Sequence, residues 1–410
     1  MKLIKITSCY PPYLRNYYLR HPGLADKPYS EQKCELDRDA FGWADFWSYA
    51  LAPLGYETME IITNDEPLQR AWAKENLGRL KATDNLRAIA FEQVKKFRPE
   101  ILWMEDHDPE LLDRIRSEIK SIHLVIGWVG SAIPKTYIGR NVDLVLSCAQ
   151  ESVEFMRKAG TRAEQLHHGF DTRVSERLRG GPKKIDFSFI GQIIRGSQYH
   201  SRREQMLEQI ASSTQLDIFS PSAGGDLKRY FDFILESGGY GAFRALKAIG
   251  IPDSAIKSLP LIGRANKWES RPESPVNRRI KPYLKPPVFG LDMFQILRDS
   301  RLTLNIHADS SPLFASNMRL FETTGVGTCL VTDWRNNLKD LFEIGNEVVA
   351  YRSVDECMEQ VRWLLDHPND REAIARAGMA RTVRDHTFKQ RALKFDEIVK
   401  KTIHGKPGTA

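Results

Sequence analysis

The stretch SNMRLFETTGVGTCLVTD, Ser316–Asp333, combines a short helical pattern, a turn of small residues and an apolar run. This order predicts a short helix, a tight turn and a buried strand. Arg319 and Glu322 fall on the first helical turns. At the carboxyl edge of a parallel sheet, backbone N–H groups at a helix start can bind phosphate, and a carboxylate one turn deeper can bind ribose. The stretch therefore predicts a nucleotide ligand, although an Arg319–Glu322 surface ion pair is the simpler structural interpretation.

Short apolar runs alternate with amphipathic stretches along the rest of the chain. The runs predicted as buried strands are Leu3–Thr7, Thr58–Thr63, Ile101–Met104, His123–Trp128 and Leu144–Ser147, followed by Asp186–Ile190, Leu216–Phe219, Leu302–His307 and Thr328–Thr332. Such alternation is typical of parallel sheets covered by helices on both faces. The predicted fold class is therefore α/β, with two Rossmann-like halves.

The chain has 410 residues, which favours two domains because single cores stop growing at roughly 250–300 residues. The Gly-Gly-Pro stretch within Arg177–Lys184 cannot continue a helix or a central strand, so we place the linker there. The predicted domains are residues 1–178 and 184–385, with an insertion at about 221–285. The end of this insertion, Arg264–Lys285, holds seven basic residues. It is either a solvated loop or a clamp for a substrate phosphate.

Charge and cysteine content exclude some classes of protein and leave others open. The net charge of +7 fits nucleic acid, anionic lipid and phosphorylated small molecules alike. The five cysteines are scattered and form no Cys-x-x-Cys pair, which argues against a disulfide framework or a zinc site and favours the cytoplasm. The N-terminus lacks the apolar core of a signal peptide, and no stretch approaches the ~20 apolar residues of a membrane span. We expect a soluble protein, with peripheral membrane contact left open.

Ligands of open α/β sheets bind at the carboxyl ends of the strands, so the cleft between the two predicted domains is the expected site. Gly191–Gly196 forms a glycine-bounded loop that contains Arg195 and is followed by Arg202. Such a loop can hold a diphosphate through backbone N–H groups and arginine contacts, or it can be a simple turn. The long loop His307–Asn317 leads directly into the helix with Glu322. Loops of this length usually carry function.

Six pieces of the C-terminal half occur in the order and spacing of a known family. They are Phe289–Met293, Leu304–His307, Asn317–Asp333, Asp340–Val349, His367-Pro368 and His386–Arg391. Together, from Pro287 to Arg391, they resemble the donor domain of family-1-type GT-B glycosyltransferases, particularly the spore-maturation (CgeB-like) branch. The N-terminal half resembles the family in outline, through Val142–Ser147 and His167–Asp171.

This resemblance implies two Rossmann-like domains that face each other across a cleft, with the C-terminal helix, residues 386–404, crossing back to the first domain. It implies that Glu322 binds the ribose of a UDP- or GDP-linked sugar, that the loop to Asn317 holds the diphosphate, and that backbone near Val288 meets the base. The expected donor contacts are Gly191, Arg195, Arg202, Val288, His307, Ser316, Asn317, Met318, Arg319 and Glu322. The implied mechanism uses no metal ion, although the acidic patch Asp106-His107-Asp108 leaves a metal open.

The sequence departs from the family at Phe314, where many retaining members have a second glutamate. Retaining and inverting chemistry therefore both stay open. An inverting enzyme needs a general base on the acceptor side. We expect Asp45, Asp106 or His107 to act there, with Glu105 as a further candidate; Asp45 and Glu105 fit ordinary surface acids equally well. By resemblance, His107 alternatively touches the donor sugar.

The leading hypothesis is a hexosyltransferase-like enzyme that transfers a sugar to a hydroxyl of a glycan, lipid-linked or protein acceptor. One alternative is a nucleotide-sugar 2-epimerase of the same architecture. Another is a non-catalytic protein that binds glycan or nucleic acid, supported by the basic segment Arg264–Lys285. No nucleic-acid motif is found, so nucleic acid is not expected as a partner.

Overall fold

A computed structural model describes residues 1–77, 85–106, 108–130, 141–193, 201–221, 227–252, 255–256, 259 and 277–404. The chain divides into two compact units. The first unit combines Met1–Asp186 with Phe289–Ala410, and the second is Phe187–Val288. No helix among the described residues has the length and apolar character needed to cross a membrane.

The first sheet lies entirely in the first unit and is parallel throughout. Its strands are β1 (Lys2–Thr7), β2 (Glu57–Ile62), β3 (Ile101–Met104), β4 (Leu124–Val129), β5 (Leu144–Ser147) and β6 (Ala163–Gln165). They are ordered β2-β1-β3-β4-β5-β6. The five strands predicted in this half are confirmed to within one residue. Strand β6 was missed because Ala-Glu-Gln has no apolar or β-branched run.

The second sheet also has six strands, again with parallel pairing. Its strands are β7 (Ile185–Ile190), β8 (Leu216–Phe219), β9 (Leu284–Lys285), β10 (Ser300–Asn305), β11 (Cys329–Asp333) and β12 (Val349–Tyr351). In the first unit, β11 pairs with β10 on one side and with β12 on the other. In the second unit, β8 pairs with β7 and β9. The predicted parallel α/β class is confirmed.

Helices connect the strands of both sheets. The α-helices of the described residues are α1 (Pro11–Arg20), α2 (Tyr29–Arg38), α3 (Phe46–Leu51), α4 (Glu66–Asn76), α5 (Leu86–Phe97), α6 (Pro109–Glu118), α7 (Gln150–Lys158), α8 (Arg173–Arg177), α9 (Ser201–Ser213), α10 (Leu227–Ala248), α11 (Gly290–Asp299), α12 (Arg319–Gly325), α13 (Leu338–Leu341), α14 (Val354–Asp366), α15 (Pro368–Asp385) and α16 (Phe388–His404).

Two helices near the N-terminus differ from the sequence prediction. The amphipathic pattern of Asp39–Leu54 favours one continuous helix, but α3 covers only Phe46–Leu51. Ala40 and Ala44 both have positive φ, and such left-handed conformations cannot continue a right-handed helix. Helix α1 was not predicted, although Pro11 opens it. Proline suits the first helical turn because no intrahelical partner exists there for its missing N–H.

Helix α16 packs on the first sheet and on α3. The Phe395 ring stacks on Trp103 of β3 with centroids 4.9 Å apart, and Phe388 lies edge-on to Trp47 of α3 at 5.3 Å. Both phenylalanines are buried. The chain enters this position through a parallel bridge between Phe170 and Thr387. Residues from the two ends of the chain thus share one core.

Segments also come very close together near the bridge between Phe170 and Thr387. A Cβ atom at Gly325, the last residue of α12, would lie 2.4 Å from Cγ of the buried Phe170 ring. Real Cβ atoms essentially never come so close, and the Phe170 side chain is fully buried. Only glycine therefore fits at residue 325 without movement of the core.

We expect Gly325→Ala to lower the free energy of unfolding by about 1–3 kcal/mol, because the added methyl group overpacks the Phe170 site. Urea unfolding of the purified variant measures this. Gly180→Ala is the matched control, since its Cβ would meet open space and its φ lies outside the left-handed region. Equal unfolding midpoints for the two variants would contradict the expectation.

Lys183, in the segment predicted as the linker, is tied to the second sheet. Its Nζ donates to the carbonyl oxygens of Arg298 at 2.7 Å and Ser300 at 2.9 Å, and to Thr328 Oγ1 at 2.8 Å. Burial, assisted by the Arg298 charge, lowers the pKa of the Lys183 ammonium to about 8. The linker is therefore held by a half-buried amine whose charged form is disfavoured.

This pKa predicts a pH dependence of stability. The pKa of Lys183 is about 8 in the folded protein and 10.5 in the unfolded chain. At a pH between these two values, the unfolded chain binds a proton at Lys183 that the folded protein has released. Wild type should therefore gain stability relative to Lys183→Met as pH rises through this window, by at most about 1.4 kcal/mol per pH unit. Urea unfolding from pH of about 7.5 to about 10 tests this, with the exposed Lys184→Met as control. A wild-type advantage that stays constant with pH would rule it out.

Candidate active site

The carboxyl ends of β10 and β11 bring several polar side chains together in the first unit. Asn305 ends β10 and pairs in register with Thr332, and Asp333 ends β11. Asn305 Nδ2 donates to Thr332 Oγ1 at 2.9 Å. All three side chains are buried. Polar groups at such depth need defined partners, so this edge of the sheet has a fixed geometry.

Asp333 holds His307 in one orientation. Its Oδ1 accepts from the His307 main-chain N–H at 3.1 Å and from ring Nδ1 at 2.7 Å, while Oδ2 pairs with Arg335 at 2.6 Å. Burial opposes ionisation of this carboxyl, but His307 and then Arg335 outweigh it and lower the pKa of Asp333. An ionised carboxylate accepts hydrogen bonds only, so Nδ1 carries the proton.

The other ring nitrogen of His307 is a buried polar atom whose hydrogen bond is unsatisfied in the described structure. His307 Nε2 is buried and has no hydrogen-bond partner among the described residues, and the side chain is 0% exposed. Asn317 shows the same feature nearby in the chain: Nδ2 donates to Asn305 Oδ1 at 2.6 Å, while Oδ1 is buried without a partner in the described structure. Buried unpaired polar atoms are rare in native proteins and call for an explanation such as a ligand or water.

The loop between His307 and Asn317 is anchored to neighbouring segments. Asn337 forms a reciprocal pair with Ala315, accepting from its N–H at 2.6 Å and donating to its carbonyl at 3.1 Å. Ser316, which follows, is 5% exposed. Met318 precedes α12, and its carbonyl accepts from the Glu322 N–H at 3.0 Å. The loop therefore presents its residues from a fixed backbone.

Glu322 is a buried carboxylate on the first turns of the seven-residue helix α12. Its Oε2 pairs with Arg319 Nη1 at 2.8 Å, which is the ion pair that the sequence suggested. The Glu322 side chain is only 9% exposed, so this is not an ordinary surface pair. Burial raises the pKa of Glu322, while the Arg319 charge opposes that shift. A carboxylate kept at this depth fits a binding role better than a solvent-exposed one.

Asp45 and Glu105, two acids expected at the acceptor side, are already engaged. Both oxygens of Asp45 accept from Arg173, at 2.9 and 3.0 Å. Glu105 pairs with the buried Lys5 at 2.9 Å, and burial raises the pKa of Glu105 although Lys5 opposes this. A carboxylate held by a guanidinium on both oxygens is poorly placed to take a proton from another molecule.

Asp106 follows β3 at the carboxyl edge of the first sheet. Its Oδ2 accepts from Thr63 Oγ1 at 2.5 Å, and its main-chain N–H donates to the Ile6 carbonyl. The neighbouring candidate His107 lies outside the described residues. Within the described part of the chain, no three His, Cys, Asp or Glu side chains are grouped so that they could hold a metal ion.

Among the described residues, the predicted donor contacts Gly191, Arg202 and Val288 lie in the second unit. Gly191 follows β7 and has Phe189 within 2.9 Å of where its Cβ would stand. Arg202 is exposed on α9. Arg195 and most of the basic segment Arg264–Lys285 lie outside the described residues. The roles of all these residues stay predictions.

The sequence did not single out Asp333, Arg335 or Asn305. Asp333 could have been found, because it directly follows the predicted strand Thr328–Thr332, at the same edge of the sheet as His307. Asn305 and Arg335 carried no comparable signal, since their roles depend on pairings that only the folded sheet creates.

Comparison with known proteins adds a family match and a fold. Residues 242–397 match the family model described as glycosyl transferase-like. No curated protein matches the chain. The predicted spore-maturation (CgeB-like) branch stays a prediction.

Several solved structures share the fold at low sequence identity. HepE from Anabaena, in complex with UDP-glucose, is 13% identical with a TM-score of 0.54, over 98% of this chain and 100% of that one. Sucrose-phosphate synthase from Thermosynechococcus elongatus is 9% identical with a TM-score of 0.53, over 99% and 100%. An α-glucosyltransferase in complex with UDP-glucose and DNA containing an abasic site is 12% identical with a TM-score of 0.55, over 98% and 100%. The chain therefore has the fold of GT-B glycosyltransferases and carries a glycosyl transferase-like domain.

Proposed function

We propose that the protein is a glycosyltransferase that moves a sugar from a UDP- or GDP-linked donor to a hydroxyl acceptor in glycan or glycoprotein assembly. The observation that carries this proposal is the buried polar cluster at the ends of β10 and β11. There His307 Nε2 and Asn317 Oδ1 lack partners among the described residues, and Glu322 lies buried on the next helix. The cluster falls within the segment that matches the glycosyl transferase-like model.

His307 is suited to stabilise a departing diphosphate. Phosphate oxygens only accept hydrogen bonds, so His307 must be protonated to donate from Nε2. The Asp333 carboxylate, 2.7 Å from Nδ1, balances the charge of that imidazolium. Fixed donors aimed at a developing negative charge are the usual means of stabilising a transition state. We propose that His307 supplies this charge without a metal ion.

Glu322 is proposed to accept hydrogen bonds from the ribose hydroxyls of the donor. Arg319 pairs with Oε2, which leaves Oε1 for the ligand. Asn317 Oδ1 and the Ser316 hydroxyl are proposed to bind the diphosphate-sugar portion from the loop that precedes Glu322. Residues 184–385 would then be the donor domain and residues 1–178 the acceptor domain.

Asp106 is the acid that we propose to meet the acceptor hydroxyl. It lies at the carboxyl edge of the first sheet, and Thr63 occupies one of its oxygens. Asp45 is less suited because Arg173 holds both of its oxygens. A base must come within about 2.6–3.2 Å of the proton that it removes, so Asp106 requires the acceptor to bind against the ends of β2 and β3.

The proposed function is tested by thermal unfolding with nucleoside diphosphates and by donor turnover. A ligand that binds the folded state raises the unfolding temperature according to its affinity, so the better of UDP and GDP identifies the base. Release of nucleoside diphosphate from a donor panel then identifies the sugar. Acceptors should include saccharides, lipid-linked saccharides, proteins and, because one structural neighbour was solved with DNA, duplex DNA. A donor converted to another sugar without an acceptor would instead indicate an epimerase.

Glu322→Ala should weaken binding of the preferred nucleoside diphosphate about tenfold to a hundredfold, because a hydrogen bond to a charged group contributes about 1.5–3 kcal/mol. Isothermal titration calorimetry measures the affinity. Glu322→Gln keeps the shape of the side chain and checks that any loss is not caused by unfolding. Glu359→Ala, an exposed acid on α14, is the matched control. Wild-type affinity in Glu322→Ala would exclude the ribose role.

Asp333→Asn should weaken nucleoside diphosphate binding about tenfold, which corresponds to about 1.4 kcal/mol. The amide still fills the space of the carboxyl but no longer balances an imidazolium at His307. Calorimetry with UDP or GDP measures the change. The exposed Asp340→Asn on α13 provides the control. If the two variants bind alike, the charge of Asp333 has no part in donor binding.

A further inference from the structure

The loop between His307 and Asn317 is bound by a carboxylate from the other half of the first unit. Glu151, the second residue of α7, follows strand β5 of the first sheet. Its Oε1 accepts from the main-chain N–H groups of Leu313 at 3.0 Å and Phe314 at 3.1 Å. The Ser311 hydroxyl lies 3.1 Å from Oε2. Three loop groups thus converge on one side chain.

These contacts attach the loop between His307 and Asn317, which lies outside the helices and strands, to helix α7. Backbone N–H groups bonded to a carboxylate make charge-assisted hydrogen bonds, about twice as strong as neutral ones. The Ser311 hydroxyl also lies 2.9 Å from the Phe314 carbonyl, which closes the turn around Glu151. On its other side the loop is tied to the segment after β11, through Asn336 N–H to the Leu313 carbonyl at 2.9 Å and through Asn337. Glu151 therefore holds the first-sheet side of the loop.

The contacts of Glu151 lie between two residues of the candidate site. The residues held by Glu151 stand between His307, whose Nε2 is unpaired in the described structure, and Asn317, whose Oδ1 is likewise unpaired. Ser316 lies two residues beyond Phe314. A loop released at Leu313 and Phe314 can shift the groups on either side, and a displacement of about 1 Å can lower a reaction rate on the order of 100-fold.

We propose that Glu151 is a positioning residue, which sets the donor-binding conformation of residues 308–318 from outside the donor domain. The inference rests on the proposed function, because it takes this loop to bind the diphosphate. It makes donor affinity depend on α7, a helix of the half that we assign to the acceptor. A change in the placement of α7 would therefore alter donor binding directly.

The test compares Glu151→Ala with Glu151→Gln. The side-chain carbonyl oxygen of the glutamine variant can still accept from both loop N–H groups, whereas alanine offers no acceptor. Glu154→Ala is the matched control, since Glu154 lies on the same helix and contacts Gln150 rather than the loop. Amide hydrogen exchange at residues 311–315 reports the attachment without any ligand. Calorimetry with UDP and with GDP reports its consequence.

We expect E151A to speed exchange of the Leu313 and Phe314 amides at least about tenfold and to weaken the preferred nucleoside diphosphate about tenfold, or about 1.4 kcal/mol. E151Q should restore most of both properties, and E154A should behave as wild type. Wild-type exchange in E151A, or faster exchange with unchanged affinity, overturns the proposal. If wild type binds neither UDP nor GDP, the proposed function fails and the inference falls with it; if wild type binds and E151A binds equally, only the inference fails.

Discussion

The carboxylate of Asp333 is the buried charge on which the candidate site depends. It joins the end of β11 to His307, two residues after the end of β10, because it accepts from both the backbone and the ring of His307, and it pairs with Arg335 as well. An ion at this depth is tolerated only when its partners replace the water it has lost. Since all of these partners are present, the imidazole has one orientation, and the loop to Asn317 starts from a fixed point.

Long-range contacts complete the first unit around this charge. Glu151 reaches Phe314 across 163 residues, and the Phe170–Thr387 bridge brings the last helix back to the first sheet. Gly169 lies against the backbone of Thr387 and Phe388, where a Cβ atom would come within 3.0 Å. Close approach of backbone therefore sets the geometry where Gly169 meets the start of α16. The loop between His307 and Asn317 is thus supported by elements that are far apart in the chain.

Much of the fold could be predicted because strands buried on both faces are continuous apolar runs, as in Leu124–Val129 and Leu144–Ser147. Short strands such as Ala163–Gln165 could not, since three residues carry too little pattern. The absence of a helix before Phe46 depends on positive φ at Ala40 and Ala44. Alanine does not favour positive φ, so the sequence does not indicate this conformation. His307 and Glu322 could be singled out from their place after a strand and on a helix start. Their partners could not: the hydrogen bond between Asp333 and His307 spans 26 residues, and Glu151 meets the loop only through tertiary structure.

The position of α16 constrains how the protein can fold during its synthesis. Trp47 and Trp103 leave the ribosome long before Phe388 and Phe395, the rings that cover them. At roughly 5–20 residues per second, the delay is on the order of tens of seconds. During this time the indole rings of Trp103 in the first sheet and Trp47 in α3 lack the side chains that cover them, and exposed apolar surface of this kind is what chaperones bind. Its core therefore closes after translation of the C-terminal helix, and the two halves of the first unit mature together.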